Sequence, residues 1–362
     1  MTRQPTGKPG YRVGLAGKSS LLGQEILRVL KERDFPVARV ATFEADPEEP
    51  DLPVLDLTDQ MAFEPASDEA PPDGLDVLFL AARPRSKAGE PSLLGKALEA
   101  AGFTRNAPAQ TRCLVIDSAE ALSDLPGRTL CIPSLESESR TALEPSLFPV
   151  LESPHPATIV LSKLLVHLAR RCGVMDCVAQ VYFPASEMGP RAIGELQKQT
   201  MNLLSFQKIP QKVFGAQLAF NLLSRLPGTH ASEISAVESR IRRELRQYLA
   251  NRVPMPALQT CHVAAFYSLA FSIYVELSER STAEAVSAAL AGDHITIRRR
   301  SEAAPTQVDA AGSGDILVDA ITPDPDRAHG YWIWAVVDNL RLAAENSVDI
   351  AETLLHPHHP RQ

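Results

Sequence analysis

The sequence predicts an α/β protein whose N-terminal domain contains a doubly wound parallel sheet. An apolar strand over Tyr11–Ala16 leads into the loop Gly17–Gly23, which has a glycine at each end. Aliphatic residues then recur at helical spacing over residues 22–30, and Val37–Phe43 is the next strand-like run. A strand, a glycine loop, a helix and a second strand in this order open a Rossmann-like, nucleotide-binding fold.

The alternation of strands and helices continues to about residue 152. Short buried strands are predicted at Leu75–Ala81 and Leu114–Ile116, with a helix at Leu93–Ala101 between them. The acidic, proline-rich segment Glu44–Pro53 is typical of a surface loop. Strands that alternate with helices favour a parallel sheet. We therefore assign residues 1–10 to a tail and residues 11–152 to the first domain.

The pattern changes at Ser153–Pro156, where a second domain begins. From there to residue 330 we predict an α+β domain with a mostly antiparallel sheet. Its predicted helices are Ala157–Arg171, Ile193–Leu204 and Ser232–Leu249, and its predicted strands are Asp176–Tyr182, Thr260–Tyr267 and Phe271–Leu277. Residues 331–355 contain the amphipathic helix Asp338–Leu355, which we expect to return to the first domain, and residues 356–362 form a tail.

The composition excludes several classes of protein. A net charge of -8 argues against a general nucleic-acid binder, because few phosphates would be neutralised. The five cysteines form no CxxC pair, so we predict neither a zinc site nor a disulfide framework. No apolar run approaches the ~18 residues of a membrane span, and the first residues resemble no signal peptide, so we expect a cytoplasmic protein. We interpret the histidine-rich segment His356–Pro360 as a frayed end rather than a metal site.

Several separated motifs together resemble the aspartate-semialdehyde dehydrogenase family over residues 11–355. They are Val13–Gly17 with Gly23, Phe35–Val37, Ile116–Ser118, Ser153–Thr158, Gln217–Asn221, Phe266–Tyr267, Pro305–Val308 and Trp334–Arg341. The resemblance implies a Rossmann-like nucleotide-binding domain, an α+β dimerisation and catalytic domain, and a homodimer. Members of the family reductively dephosphorylate an acyl phosphate with NADPH, using a cysteine that forms a thioester and a histidine that acts as acid and base.

The positions that carry this chemistry in the family hold other residues in this chain. Pro156 stands at the position of the nucleophilic cysteine, and Leu269 stands at that of the histidine. Phe183 replaces a glutamine, and His262 lies near the position of a substrate-binding arginine, whose bidentate grip on a carboxylate an imidazole cannot make. The resemblance therefore predicts a pseudoenzyme with no catalytic residue in place. His155 is an alternative nucleophile, although a helix-capping or solvated histidine is the commoner role.

The cofactor-binding positions are altered as well. By resemblance they are the loop residues Gly17, Ser19, Ser20, Leu21, Leu22 and Gly23, together with Asn339. Ser20 replaces the family's middle glycine, where a side chain would crowd a pyrophosphate. The acidic stretch Glu44–Glu49 stands where the family reads the adenosine 2′-phosphate, and it would repel that group. The family thus implies NADP or NAD as cofactor, whereas the residues predict that binding is weakened or lost.

Three functions remain open at this point. The first is a non-catalytic relative that acts through protein contacts, as a homodimer or in a mixed dimer with an active family member. The second is an NAD(P)-dependent oxidoreductase that acts on an aldehyde or oxo group by altered chemistry. The third is a sensor of an anion or a nucleotide, with Arg83, Arg85 or Arg191 as the binding residue. In none of the three do we expect a nucleic-acid partner, a membrane or a bound metal.

Overall fold

A computed structural model of the chain describes residues 10–43, 74–82, 93–103, 112–139, 150–228, 231–250 and 252–355. The chain divides into two compact units. The first comprises Met1–Glu49, Pro53–Ser153 and Ala343–Gln362, and the second comprises Pro50–Leu52 and Pro154–Leu342. The acidic stretch Glu44–Glu49, Arg83, Arg85 and the histidine-rich tail lie outside the described residues.

The described residues form two sheets and a set of helices. The strands are β1 (Tyr11–Ala16), β2 (Val37–Phe43), β3 (Val77–Leu80), β4 (Leu114–Asp117), β5 (Thr129–Leu130), β6 (Val150–Glu152), β7 (Val174–Phe183), β8 (Leu222–Leu223), β9 (Ala257–Val263), β10 (Leu269–Leu277), β11 (Ile295–Ile297), β12 (Ile316–Val318), β13 (Thr322–Pro323) and β14 (Gly330–Val337). The helices are α1 (Leu21–Glu32), α2 (Leu93–Ala100), α3 (Pro133–Ser139), α4 (Pro156–Cys172), α5 (Pro190–Leu204), α6 (Ala231–Leu249), α7 (Ala283–Leu290), α8 (Gln307–Ala310) and α9 (Asn339–Leu355). None of these described helices is long and apolar enough to cross a bilayer.

The first unit contains a parallel sheet with the strand order β2-β1-β3-β4-β6-β5. β3 and β4 are buried along their whole length, as expected of strands that are covered on both faces. One face packs Val13 and Leu15 of β1 with Ile26 of α1, and the other packs Leu78 and Leu80 of β3 with α2. The predicted doubly wound parallel sheet is confirmed.

The C-terminal part of α9 belongs to the first unit. Val348 and Ala351 lie in the same apolar cluster as β1 and α1. Arg33, which follows α1, forms an ion pair with Asp349 of α9. We assigned the whole segment 331–355 to a helix-containing return to the first domain. In the structure its first residues belong to β14 instead, which pairs with β10 in the sheet of the second unit.

The second unit contains a mixed, eight-stranded sheet with the order β11-β12-β14-β10-β7-β9-β8, and β13 pairs with β14. β7 with β9 and β11 with β12 are parallel pairs, and the other described pairs are antiparallel. α4 is buried from Pro156 to Leu168 and contacts α6, α7 and β7. This arrangement confirms the predicted α+β unit with a mostly antiparallel sheet.

The predicted strand Thr260–Tyr267 is wrong at its C-terminal end. β9 stops at Val263, and the carbonyl of Phe266 instead accepts a hydrogen bond from the amide of Ser186 at 2.9 Å. β7 lies between β9 and β10 in the sheet, so the chain that leaves β9 passes the end of β7 before β10 begins. Residues 264–268 make that crossing and therefore cannot continue the strand.

Candidate functional site

The candidate site is built around the N-terminus of α4 in the second unit. Pro156 is the first helical residue, a position where its missing N–H has no intrahelical partner to lose. His155 is the N-cap, and its Nδ1 accepts a hydrogen bond from the amide of Ala157 at 3.1 Å. The helix runs to Cys172 and is followed by Gly173. Pro156 therefore starts the helix well, but its ring carries no nucleophilic atom.

A buried carboxylate on α6 fixes this helix start. Glu244 accepts hydrogen bonds from the amide of His155 at 2.9 Å and from the hydroxyl of Thr158 at 2.6 Å. The guanidinium of Arg240, one turn earlier on α6, donates to its other oxygen. Burial would raise the pKa of Glu244, but Arg240 and these hydrogen bonds outweigh it and hold the pKa below its usual range. Glu244 is thus an ionised group that joins α4 to α6.

Glu187, in the single helical turn after β7, is the second carboxylate of the site. Its Oε1 lies 2.8 Å from His155 Nε2, and its Oε2 accepts from Asn339 Nδ2 at 3.3 Å. Because His155 Nδ1 accepts from the amide of Ala157, the Nε2 atom carries a proton and donates to Glu187. Burial would raise the pKa of Glu187, but the His155 ring outweighs it and holds the pKa below its usual range. The carboxylate is therefore ionised at neutral pH.

Asn339, identified by resemblance as a cofactor contact, is engaged by protein groups within the second unit. Besides its bond to Glu187, its Oδ1 accepts from the hydroxyl of Ser186 and from the amide of Ser268, each at 3.2 Å. The residue is 3% exposed. Its side chain therefore joins the start of α9 to the end of β7 and the start of β10.

His262 and Phe183, which the resemblance predicts to stand at altered family positions, face each other on the parallel strands β9 and β7. Their rings lie 5.6 Å apart, edge to face, and His262 is 2% exposed. Neither ring nitrogen of His262 has a hydrogen-bond partner among the described residues. Burial lowers the pKa of His262 to about 4, against an opposing effect of Glu187, so the imidazole is neutral at pH 7. Leu269 begins β10 and is fully buried.

The glycine loop of the first unit closes on itself through Ser20. Its Oγ accepts from the amide of Gly23 at 2.9 Å and lies 2.7 Å from the carbonyl of Gly17 and 3.1 Å from that of Ala81. β1 and β3 end at the point where the order of the parallel strands reverses, which is where such sheets bind ligands. Gly17 has a φ of 90°, and an added Cβ would lie 2.5 Å from the Cβ of Ala82. The serine hydroxyl thus accepts a hydrogen bond from one amide and lies within hydrogen-bond distance of two carbonyls. All three groups lie near the point where the strand order reverses.

The residues predicted to bind a cofactor or an anion are distributed over both units. Gly17, Ser19, Ser20, Leu21, Leu22 and Gly23 form the loop and the first turn of α1 in the first unit, and Asn339 belongs to the second. Leu22 packs against the apolar core of the first unit. Arg191, the described member of the predicted anion site, is an exposed residue in the first turn of α5.

All the cysteines of the chain are among the described residues, and burial disfavours the thiolate in each. The pKa is raised at Cys113, Cys131, Cys172, Cys177 and Cys261. Cys261 is next to His262 on β9 but points to the opposite side of the sheet, where Gln180 Nε2 donates to its sulfur at 3.0 Å. Cys172 is the last residue of α4, at the end opposite Pro156. None of these thiols is therefore favoured as a thiolate, the form in which a cysteine acts as a nucleophile.

The sequence does not indicate that Glu187, Glu244 or Arg240 belongs to the site. The spacing of four residues between Arg240 and Glu244 predicts an ion pair on a helix, but not its contact with α4. Glu187 has no sequence signal, because its partners His155 and Asn339 are 32 and 152 residues away. Within the described ranges, no group of three His, Cys, Asp or Glu side chains could hold a metal ion.

Comparison with known proteins shows which proteins the chain is similar to. Residues 168–342 match the family described as semialdehyde dehydrogenase, dimerisation domain. The chain is 24% identical over 354 residues to an aspartate-semialdehyde dehydrogenase from Rickettsia bellii, covering 95% of this chain and 98% of that protein. It is 27% identical over 371 residues to a USG-1 protein homolog from Azotobacter vinelandii, covering 96% and 98%. The crystal structure of aspartate semialdehyde dehydrogenase II from Vibrio cholerae has the same fold, with a TM-score of 0.77 at 23% identity over 97% of this chain and 100% of that one. Residues 168–342 thus match the semialdehyde dehydrogenase dimerisation domain, and the chain is similar to aspartate-semialdehyde dehydrogenases over nearly its whole length.

Proposed function

We propose that this chain is a binding protein that does not carry out the thioester chemistry of the family it resembles. The observation that carries the proposal is that Pro156 is the first residue of α4, the position at which, by resemblance, the family has its nucleophilic cysteine. A helix N-terminus lowers the pKa of a cysteine placed there and so makes it reactive. In this chain the same position keeps its role in starting the helix, and the reactive sulfur is absent from it.

The groups around Pro156 offer no substitute for the missing nucleophile and base among the described residues. Both ring nitrogens of His155 are engaged, one by the amide of Ala157 and one by Glu187. His262, whose pKa is lowered to about 4, is too weak a base to deprotonate a thiol or a water at neutral pH. Leu269 has no group that transfers a proton. The proposal therefore assigns binding, and no covalent step, to this site.

The glycine loop bears on whether the chain binds the cofactor of the family. A phosphate at the start of a helix is held by the amides of the first turn. In this chain the amide of Gly23 already donates to Ser20, whose hydroxyl also closes the loop against the ends of β1 and β3. The loop does not fit a pyrophosphate in this arrangement, and we expect NADP and NAD to bind weakly or not at all.

A second part of the proposal is that two copies of the chain associate through the outer face of the second sheet. We define this outer face as Val178, Gln180, Tyr182, Tyr274, Trp332 and Trp334, the side chains that point away from α4. Val178 and Trp332 are 47% and 44% exposed. The rings of Tyr274 and Trp332 lie 5.2 Å apart. A part-exposed, aromatic sheet face is typical of a protein interface, and the matching domain family is named for dimerisation.

The catalytic part is tested by turnover and by cofactor binding. Purified chain is mixed with NADPH and an acyl phosphate, and equilibrium binding of NADPH and NADH is measured in parallel. We expect no turnover above a protein-free blank. Pro156→Cys alone is expected to stay inactive, because Leu269 still supplies no base. Saturable NADPH binding with turnover in the wild type would favour an oxidoreductase and overturn the proposal.

The association is tested by sedimentation of matched variants. Val178→Lys places a charge at the centre of the outer face and is expected to give a monomer. Ala285→Lys places the same charge on an exposed position of α7, which packs against α4 on the other side of the sheet, and is expected to remain a dimer. A dimer that survives Val178→Lys contradicts this interface. A mixed dimer with an active family member would use the same face and would be lost in the same variant.

A further inference from the structure

The network around Glu187 contains buried polar atoms that the fold leaves without partners. Neither nitrogen of His262 nor the Oγ of Ser268 has a hydrogen-bond partner among the described residues, although the two residues are 2% and 0% exposed. His262 interacts electrostatically with Glu187, and the amide of Ser268 donates to Asn339, which in turn donates to Glu187. Buried polar groups are almost always paired, so partnerless ones in a single network indicate a bound water or ligand.

The backbone at Ser268 is strained in the same network. Its φ of 71° lies in the left-handed region, which a non-glycine residue adopts at a cost. Two hydrogen bonds hold it there, because its amide donates to Asn339 Oδ1 and its carbonyl accepts from the side chain of Gln307. Strain of this kind is concentrated at ligand clamps and active sites. The fold thus holds a partnerless hydroxyl one hydrogen bond away from Asn339.

The charges of the network decide which ligand these atoms can take. Glu187 and Glu244 are anionic, and the cation Arg240 is paired with Glu244. An additional anion would be repelled by Glu187, since burial strengthens Coulomb interactions. Neutral His262 carries one N–H donor and one bare acceptor nitrogen, so an anion, which only accepts, satisfies just one of them. A neutral group that both donates and accepts can bond to either ring nitrogen and to the hydroxyl of Ser268.

We propose that His262 and Ser268 recognise a small neutral molecule that carries primary amide or hydroxyl groups. By resemblance, the family has an arginine near the position of His262 that binds a carboxylate. In this chain the neutral molecule would take the place of that carboxylate. The inference rests on the proposed function, because it treats the site as one that binds its ligand without turning it over. It goes further by naming the chemical class of the ligand and the side chains that select it.

The test uses three probes of the same shape and different charge: acetamide, acetate and acetamidinium. Each is titrated into full-length protein labelled with ¹³C in its histidine rings, and the ring signal of His262 is followed by NMR at pH 7.5. We expect acetamide to shift the His262 signal with a dissociation constant at least about ten-fold lower than that of acetate or acetamidinium. The His262 signal is assigned by its disappearance in His262→Phe.

Matched variants separate recognition from folding. His262→Gln keeps a neutral donor and acceptor and is expected to retain acetamide-dependent thermal stabilisation, whereas His262→Phe is expected to lose it. His294→Asn changes a part-exposed histidine and is expected to behave as the wild type. Stronger binding of acetate or acetamidinium, or no response of His262 to any probe, would mean that these atoms hold another class of ligand or water only, and would overturn the inference. Turnover with NADPH would instead overturn the proposed function, so the two failures are distinguishable.

Discussion

Acidification is expected to destabilise the second unit through one buried imidazole. Burial lowers the pKa of His262 to about 4 in the folded chain, compared with 6.5 for an ordinary histidine. The unfolded chain therefore binds the proton more readily, and the free energy of unfolding falls as the pH falls from 6.5 towards 4. Above about pH 7.5 the ring is neutral in both states, and its contribution no longer changes with pH.

The size of the effect follows from the shift in pKa. Each unit corresponds to about 1.4 kcal/mol, so the full shift amounts to ~3 kcal/mol, of which about 2 kcal/mol is lost between roughly pH 7.5 and pH 5. Glu187 and Glu244 have lowered pKa values, and their stabilising contributions are lost only as the pH falls below the ordinary carboxyl value of 4.5. The range between pH 6.5 and about pH 5 therefore separates the imidazole from the two carboxylates.

Urea unfolding followed by tryptophan fluorescence measures this effect in the relevant part of the chain. Both tryptophans, Trp332 and Trp334, lie on β14, so their emission reports on the second unit. His262→Phe is expected to remove the loss of about 2 kcal/mol, and His294→Asn is expected to keep it. A wild-type free energy of unfolding that does not change over this range, or a loss that persists in His262→Phe, would refute the reasoning.

Two further changes test the contacts that build the site and the loop. Glu244→Ala leaves Arg240 buried without its counter-charge and should lower the free energy of unfolding by about 3–5 kcal/mol in the same assay. Glu302→Ala, at a surface pair, should lower it by about 1 kcal/mol or less. Equal losses would contradict the assigned role of Glu244. Ser20→Ala removes the cap of α1 and should cost about 1 kcal/mol in thermal unfolding followed by circular dichroism, whereas Ser20→Gly should cost a few tenths. Ser20→Gly should also raise the affinity for NADP, measured by calorimetry, and an unchanged affinity would show that the serine is not what closes the loop to a phosphate.

Much of the fold was predictable because its signals are local. The predicted strands Tyr11–Ala16 and Val37–Phe43 coincide with β1 and β2, since both apolar runs are bounded by turn or helix signals. β5 and β6 were not predicted, because runs of two or three residues carry no periodicity. The overlong prediction at Thr260–Tyr267 has a non-local cause. The sequence does not indicate that β7 lies between β9 and β10.

The site was predictable only where the identity of one residue decides the chemistry. The sequence alone shows that Pro156 has no nucleophilic side-chain atom and that Leu269 has no group that transfers a proton. The hydrogen bonds of Glu187 cannot, because folding brings its partners together from distant parts of the chain. The lowered pKa of His262 is also a product of folding, since it arises from burial beside Phe183 rather than from any neighbour in sequence.

The central claim, that no cysteine of this chain forms a thioester, is tested most directly by mass spectrometry of the intact protein. The chain is incubated with an acyl phosphate in the absence of NADPH, so that a thioester formed by displacement of phosphate would accumulate. The aspartate-semialdehyde dehydrogenase from Rickettsia bellii serves as the positive control. We predict that the mass of this chain stays that of the unmodified protein. A mass increase of one acyl group, mapped to any of its cysteines, would contradict the account.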